Sequence, residues 1–155
     1  MTTPDLRLVP KSDAETAAWL PVAMAAYEQA RIRAGDTPEQ AAAGRRASHE
    51  RFFPGDRLVE GQLLFTVVAD DEDAGWLWIG PMEDESTWYV WDVAVHEAFR
   101  GRGIGEATMR LAEDVARSQG AAALRLNVFA YNDPAIRLYG RLGYVTDAIH
   151  MHKPL

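Results

Sequence analysis

The sequence contains no cysteine. Disulfides, thiolate metal sites and a cysteine nucleophile are therefore excluded. Lysine is scarce as well: Lys11 and Lys153 are the only two, and the other cationic side chains are arginines and histidines. No apolar run approaches the roughly 20 residues needed to span a bilayer. Met1 to Asp5 lack the basic segment and apolar stretch of a secretion signal. A soluble, cytoplasmic protein that does not enter membranes is the expectation. A surplus of positive charge is also missing. The formal net charge is −7, which argues against a nucleic-acid partner, because neutralising phosphates takes a basic face. The same charge suits a cationic partner such as an amine. No repeat, low-complexity tract or long linker interrupts residues 1–155, so a single domain is expected.

What is present divides by period. Leu6 to Val9 reads as a short strand. Ser12-x-x-Glu15 is a capping box that opens a helix with apolar residues at Trp19, Val22, Ala23, Ala26, Tyr27 and Ala30, closed by Gly35. Thr37-Pro38-Glu39-Gln40 opens a second helix, stopped by Pro54-Gly55. Three strands follow, at Leu63–Val68, Gly75–Gly80 and Thr87–Val95, separated by acidic turns over 70–75 and 82–86. The last of the three is mostly apolar and is expected to be buried on both faces. Residues 103–119 read as a helix ended by Gly120, and 123–128 as a strand. Asp133 is the expected N-cap of a final helix, with Ala135, Leu138 and Leu142 on its buried face and Gly143 as its stop. Residues 144–155 are expected to form one bent or two short strands. The whole reads as a mixed α/β domain built around one sheet.

The most informative stretch runs from Val93 to Glu106, where a buried strand leads through Arg100-Gly101-Arg102-Gly103-Ile104-Gly105 into a helix. Glycines let backbone amides approach a ligand closely. The helix start contributes unpaired amides and the positive end of its dipole, and the arginines contribute charge for phosphate oxygens. The same residues also make an ordinary flexible turn with solvent-facing arginines. No Gly-Lys-Ser/Thr triplet is present, so this is not a Walker loop. The dinucleotide fingerprint fails as well, because Glu106 stands where its third glycine belongs.

Arg100-x-x-Gly103-x-Gly105 instead resembles the acyl-coenzyme A pyrophosphate loop of the GNAT superfamily of N-acetyltransferases. A second segment resembles that superfamily at the expected distance: Asn132-x-x-Ala135-x-x-Leu138-Tyr139-x-x-x-Gly143-Tyr144. The similarity covers about Trp88 to Tyr144, and Asn127-Val128 before the second segment is also familiar. The resemblance implies that strands 89–95 and 123–128 run parallel and splay apart. It implies that the arm of acetyl-CoA pairs with the backbone of Val93 and Val95. Arg100, Gly101, Arg102, Gly103, Ile104, Gly105 and Glu106 would then hold the pyrophosphate, with Asn127 and Asn132 near the cofactor. An amide at Ala94 or Val95 would stabilise the oxyanion, and Tyr139 would protonate the departing thiolate. The acceptor would be a primary amine, on a small molecule or a protein, attacking directly. A homodimer is common among proteins of this resemblance.

Asp92 is the candidate base, a carboxylate in an otherwise apolar strand that needs a partner or a raised pKa. The alternative is a structural hydrogen bond from Asp92 to a neighbouring backbone or indole group. Tyr139 has a packing role as its alternative, and Asn132 a helix-start role. His49, His150 and His152 form no ligand pattern with carboxylates, so no metal is expected. Trp76, Trp78, Trp88, Tyr89 and Trp91 concentrate aromatic surface in the middle strands; most should be core, with one or two left to wall an acceptor pocket. Two other readings of the resemblance are an acyl-CoA-binding module without turnover and an acyltransferase with a longer donor or an alcohol acceptor.

Overall fold

The computed structural model describes residues 4–155. The chain runs β1 (Leu6–Pro10), α1 (Asp13–Arg33), α2 (Pro38–Phe52), β2 (Leu63–Ala69), β3 (Glu72–Pro81), β4 (Thr87–Val95), α3 (Ile104–Ser118), β5 (Ala123–Leu126) and α4 (Asp133–Arg141). Both helix starts obey their capping boxes. Ser12 Oγ accepts from the Glu15 amide at 3.2 Å while Glu15 Oε2 accepts from the Ser12 amide at 2.7 Å. Thr37 and Gln40 repeat the exchange at 3.2 and 2.9 Å. Each reciprocal pair satisfies two amides that have no intrahelical acceptor.

The five strands lie in chain order, β1-β2-β3-β4-β5. Every neighbouring pair is antiparallel except β4 and β5, which are parallel and connected through α3. Side-chain alternation along β3 sends Leu77 and Ile79 to one face and Trp76 and Trp78 to the other. The first pair joins Val67, Trp88, Val90, Ile104, Met109 and Ala112 in a core under α3. The second joins Trp19, Leu20, Met24, Phe52 and Phe53 in a core under α1 and α2. The sheet is therefore covered on both sides, as the apolar content of β4 suggested, although full burial in β4 is confined to Trp88 and Val90.

Four local expectations change. The acidic segment 70–75 is not one long turn: Asp70 and Asp71 alone make it, with φ of 50° and 68°, and β3 starts at Glu72. Aspartate tolerates the left-handed region, which a two-residue hairpin turn requires at both positions. The β5 ladder ends at Leu126, so Asn127 and Val128 lie beyond it. The N-cap of α4 is Asn132 rather than Asp133; its Oδ1 accepts from the Ala135 amide at 3.3 Å. Residues 144–155 form no strand, and Val145, Ile149, Met151 and Leu155 are exposed. Their alternating pattern finds no ladder partner, and an unpaired strand has no stability of its own.

Candidate functional site

The site lies where β4 and β5 part. Their ladder pairs Thr87–Val90 with Ala123–Leu126 and stops there. β4 continues through Trp91, Asp92, Val93, Ala94 and Val95 with β3 on one side and, among the described residues, no strand on the other. The parting coincides with a bulge: Ile79 pairs with Val90 and Trp78 with Asp92, which leaves Trp91 as the extra residue. A bulge bends its strand and increases local twist, and it re-aims the side chains beyond it.

The ladder also fixes which backbone groups face the gap. The His96 amide donates to Ala74 O at 2.8 Å. Antiparallel pairs alternate, so Ala94 and Asp92 also spend their backbone groups on β3, whereas Val93 and Val95 turn theirs away from it. The parting of the strands and the gap-facing Val93 and Val95 agree with the geometry expected from the resemblance. Ala94 differs, because its amide belongs to the β3 ladder. The Val95 carbonyl accepts from Arg100 Nε at 3.1 Å, which ties that side chain to the mouth of the gap.

The loop after β4 brings the start of α3 to the same place. Gly101 and Gly103 have φ of 73° and 76°, a region that a side chain makes costly. No atom lies within 4 Å of where a Cβ would stand at either residue, so the loop surface there is bare backbone. The first intrahelical bond is Ala107 N to Gly103 O at 3.0 Å. The amides of Ile104, Gly105 and Glu106 have no acceptor among the described residues. Ile104 is buried and anchors the helix start in the core. A Cβ on Gly105 would meet Leu138 Cδ2 at 3.5 Å and Val95 Cγ2 at 3.9 Å, so β4, α3 and α4 converge here. Three free amides at a helix start are an anion site in their own right. The two arginines differ. Arg102 pairs with Asp70 at 3.3 Å and lies over the Phe99 ring, turned toward the β2–β3 hairpin, while Arg100 stays at the gap.

Asp92 lies on β4 and Tyr139 on α4. Asp92 Oδ2 accepts from Trp76 Nε1 at 2.8 Å. Burial pushes the Asp92 carboxyl above the usual carboxylate range, partly offset by the Trp76 indole and the Val93 amide. Burial likewise raises the Tyr139 phenol, and the neighbouring Asp92 charge adds to the rise. Tyr139 packs against the α3-side core and meets the Tyr144 ring edge-on at 5.8 Å. The packing alternative for Tyr139 and the indole alternative for Asp92 are thus both realised in the structure. Asn132 is occupied as the α4 cap. Asn127 lies just past β5 and, with Arg125, Tyr144 and Asp147, lines an open cleft of about 680 Å³ along the outer side of that strand.

Trp76 and Trp91 belong to the aromatic set from which one or two residues are expected to wall an acceptor pocket, without a choice among them. Alternation placed both on strands, but their juxtaposition with Asp92 depends on the β3–β4 register and the bulge. The Tyr89 and Trp91 rings pack with centroids 4.4 Å apart and planes tilted by 39°, and Trp91 packs on Phe52 at 4.6 Å, forming an aromatic wall on the α1–α2 side. Among the described residues, no three His, Asp or Glu side chains are grouped to hold a metal ion. No helix of the described chain is long and apolar enough to cross a membrane.

Comparison with known proteins places this geometry. Residues 23–144 match the family model described as the acetyltransferase (GNAT) family. The uncharacterized N-acetyltransferase YdgE of Bacillus subtilis is 32% identical over 111 residues, spanning 70% of this chain and 71% of its own. The uncharacterized N-acetyltransferase YycN of the same organism is 27% identical over 154 residues, 97% of this chain and 99% of its own. The crystal structure of YycN superposes with a TM-score of 0.86 at 26% identity, covering 97% of this chain and 98% of that one. With the strand gap and helix start in place, the chain belongs to the GNAT family and is an N-acetyltransferase, of a family whose members move acetyl groups from acetyl-CoA to amines.

Proposed function

We propose that this enzyme acetylates a primary amine by direct attack on acetyl-CoA within a ternary complex, with Asp92 as base and Tyr139 as acid. The observation that carries the reading is the meeting of the β4–β5 gap with the free amides of α3, beside a strand that carries the buried Asp92 carboxylate. The residues fit acetyl-CoA. Bare backbone at Gly101 and Gly103 leaves room for the pyrophosphate beside the amides of Ile104, Gly105 and Glu106, and Arg100 adds charge at the gap. The Val93 carbonyl and the Val95 amide, both turned to the gap, suit pairing with the amide-bearing arm, as an added strand pairs with a sheet edge. When bound, acetyl-CoA supplies the activated acyl carbonyl.

The chain's own residues then manage the protons. An alkyl ammonium group must lose one before it can attack, and Asp92 accepts it. Its raised pKa makes it a stronger base than an exposed carboxylate. The Val95 amide, turned away from β3, is free to donate to the carbonyl oxygen on which charge develops. Tyr139 keeps its proton at neutral pH, because its pKa lies above the usual value, and gives it to the leaving thiolate. The amine reaches Asp92 from the side of Tyr89 and Trp91, whose ring faces suit a cation before deprotonation.

The test is thiol release from acetyl-CoA across a panel of primary amines, beside calorimetric titration with acetyl-CoA alone. Turnover that Tyr139→Phe lowers by about 10²-fold without weakening acetyl-CoA binding supports the reading. Binding with no thiol release for any amine would make the chain a binding module, and no binding by the folded protein would overturn the cofactor assignment.

A further inference from the structure

Four tryptophans, Trp19, Trp76, Trp78 and Trp91, make up much of the layer between the sheet and α1–α2. Their indole N–H groups have different fates. Trp78 Nε1 donates to the neutral amide of Gln62 at 3.2 Å. Trp19 and Trp91 leave buried Nε1 groups with no acceptor. Trp76 alone of the four donates to a carboxylate, Asp92 Oδ2 at 2.8 Å. This layer tolerates unpaired indole groups, so the need to satisfy an indole does not explain the bond to Asp92. The carboxylate is the partner that needs it.

We infer that Trp76 is a positioning residue for acetyl transfer, fixing one oxygen of Asp92 so that the other is the proton acceptor; this rests on the reading of Asp92 as the base. Trp76 pairs with Ala94 in the β3–β4 register, which puts it diagonal to Asp92 and within reach of a long side chain. Its ring is held on two sides. Trp19 meets it edge-on at 6.2 Å and His96 at 5.7 Å. His96 is in turn fixed by Asp73, with Nε2 3.1 Å from Oδ1. The N–H direction is thus set by packing before any substrate arrives. Among the described residues no other side chain donates to Asp92, and the Val93 amide is its one backbone donor, a second fixed group that helps hold the carboxylate in one orientation. A held carboxylate presents one oxygen in one direction, whereas a free one samples two oxygens and many directions, and catalytic geometry is sensitive to such looseness.

The titratable groups around this pair are His96, whose ring meets Trp76, Asp73, which is bonded to His96, and the Tyr139 phenol of α4, which the Asp92 charge raises; Trp19 of α1 adds an apolar ring. Trp76→Phe keeps the aromatic packing and deletes the N–H. The carboxylate then loses a bond that favours its charged form. Its titration midpoint rises, and the acid limb of kcat/KM moves up with it by about the same amount, half a pH unit or more, while KM for acetyl-CoA stays unchanged.

The experiment has two arms. In the first, the Trp76 indole N–H resonance of the wild-type protein is followed by NMR over roughly pH 3 to 8, the range that brackets a raised carboxylate. It is expected to move with a single midpoint, and that movement should vanish in Asp92→Asn. In the second, the Asp92 side-chain carbon midpoint and the pH–rate profile of thiol release, with the most active amine of the panel, are compared for wild type, Trp76→Phe and Asp92→Asn. An indole resonance that does not titrate overturns the inference whether or not the Phe variant folds. So do unchanged Asp92 and rate midpoints in Trp76→Phe when Asp92→Asn has lost turnover. Full turnover in Asp92→Asn overturns the base assignment itself, and the indole titration then reports a structural bond only.

Discussion

The two halves of β4 share one strand and do different work. Thr87 to Val90 has strands on both sides, and Trp88 and Val90 are among the most buried residues of the molecule. Trp91 to Val95 has a strand on one side only, is half-buried throughout, and carries the carboxylate. One extra residue at Trp91 and the end of β5 at Leu126 separate them. The comparison teaches that a sheet becomes a site by losing a neighbour at one point. The paired half holds the unpaired half in place, and the unpaired half offers backbone groups and a charged side chain that a fully laddered strand would bury.

The largest expected effect breaks the paired half. Val90→Asp puts an unpartnered charge into the α3-side core and should cost more than about 4 kcal/mol, read by urea unfolding. The next separates function from stability in the other half. Asp92→Asn should lower kcat by about 10²-fold or more while the fold persists. Its pKa is raised in the folded state, so the native protein binds the proton more tightly than the unfolded chain. Stability from this group is therefore present below its unfolded value and lost as pH rises through the raised one. At neutral pH the carboxylate is destabilising, and Asp92→Asn should raise Tm, with the gain shrinking on acidification. Activity runs the opposite way, rising with pH as Asp92 ionises.

Smaller effects sharpen the boundary at the mouth of the gap. Arg100→Ala should weaken acetyl-CoA binding about tenfold by calorimetry, and Arg102→Ala less, because Arg102 is already paired with Asp70. Gly103→Ala should destabilise by ~1 kcal/mol because its φ is 76°. Gly105→Ala, inside the first turn of α3, should leave stability unchanged or slightly higher, since its Cβ would make only ordinary contacts with Leu138 and Val95.

Much of this fold is local chemistry and was legible as such. Ser12-x-x-Glu15 and Thr37-x-x-Gln40 act within four residues, so their boxes need no tertiary information. The glycine loop was equally legible, because positive φ at Gly101 and Gly103 and the bare start of α3 follow from those residues in that order. Asn132 and Asp133 are both good caps, and a one-residue choice between them was beyond a reading of residue types. Trp91 as a bulge was invisible for a different reason. A bulge is a mismatch between two strands, and neither strand records it alone.

The amino-acid sequence by itself determined the order of elements through α4, the anion-binding start of α3, and the family through two spaced motifs. Those depend on neighbours along the chain: caps, glycine dihedrals, and apolar period. Only the tertiary structure decided that β5 stops at Leu126, that Val93 and Val95 face the gap while Ala94 does not, and that the Trp76 indole donates to Asp92. Each of these is a relation between residues far apart in the chain, fixed by strand register and by burial on two faces at once. Register is set by how whole strands fit against whole helices, which residue order alone does not record.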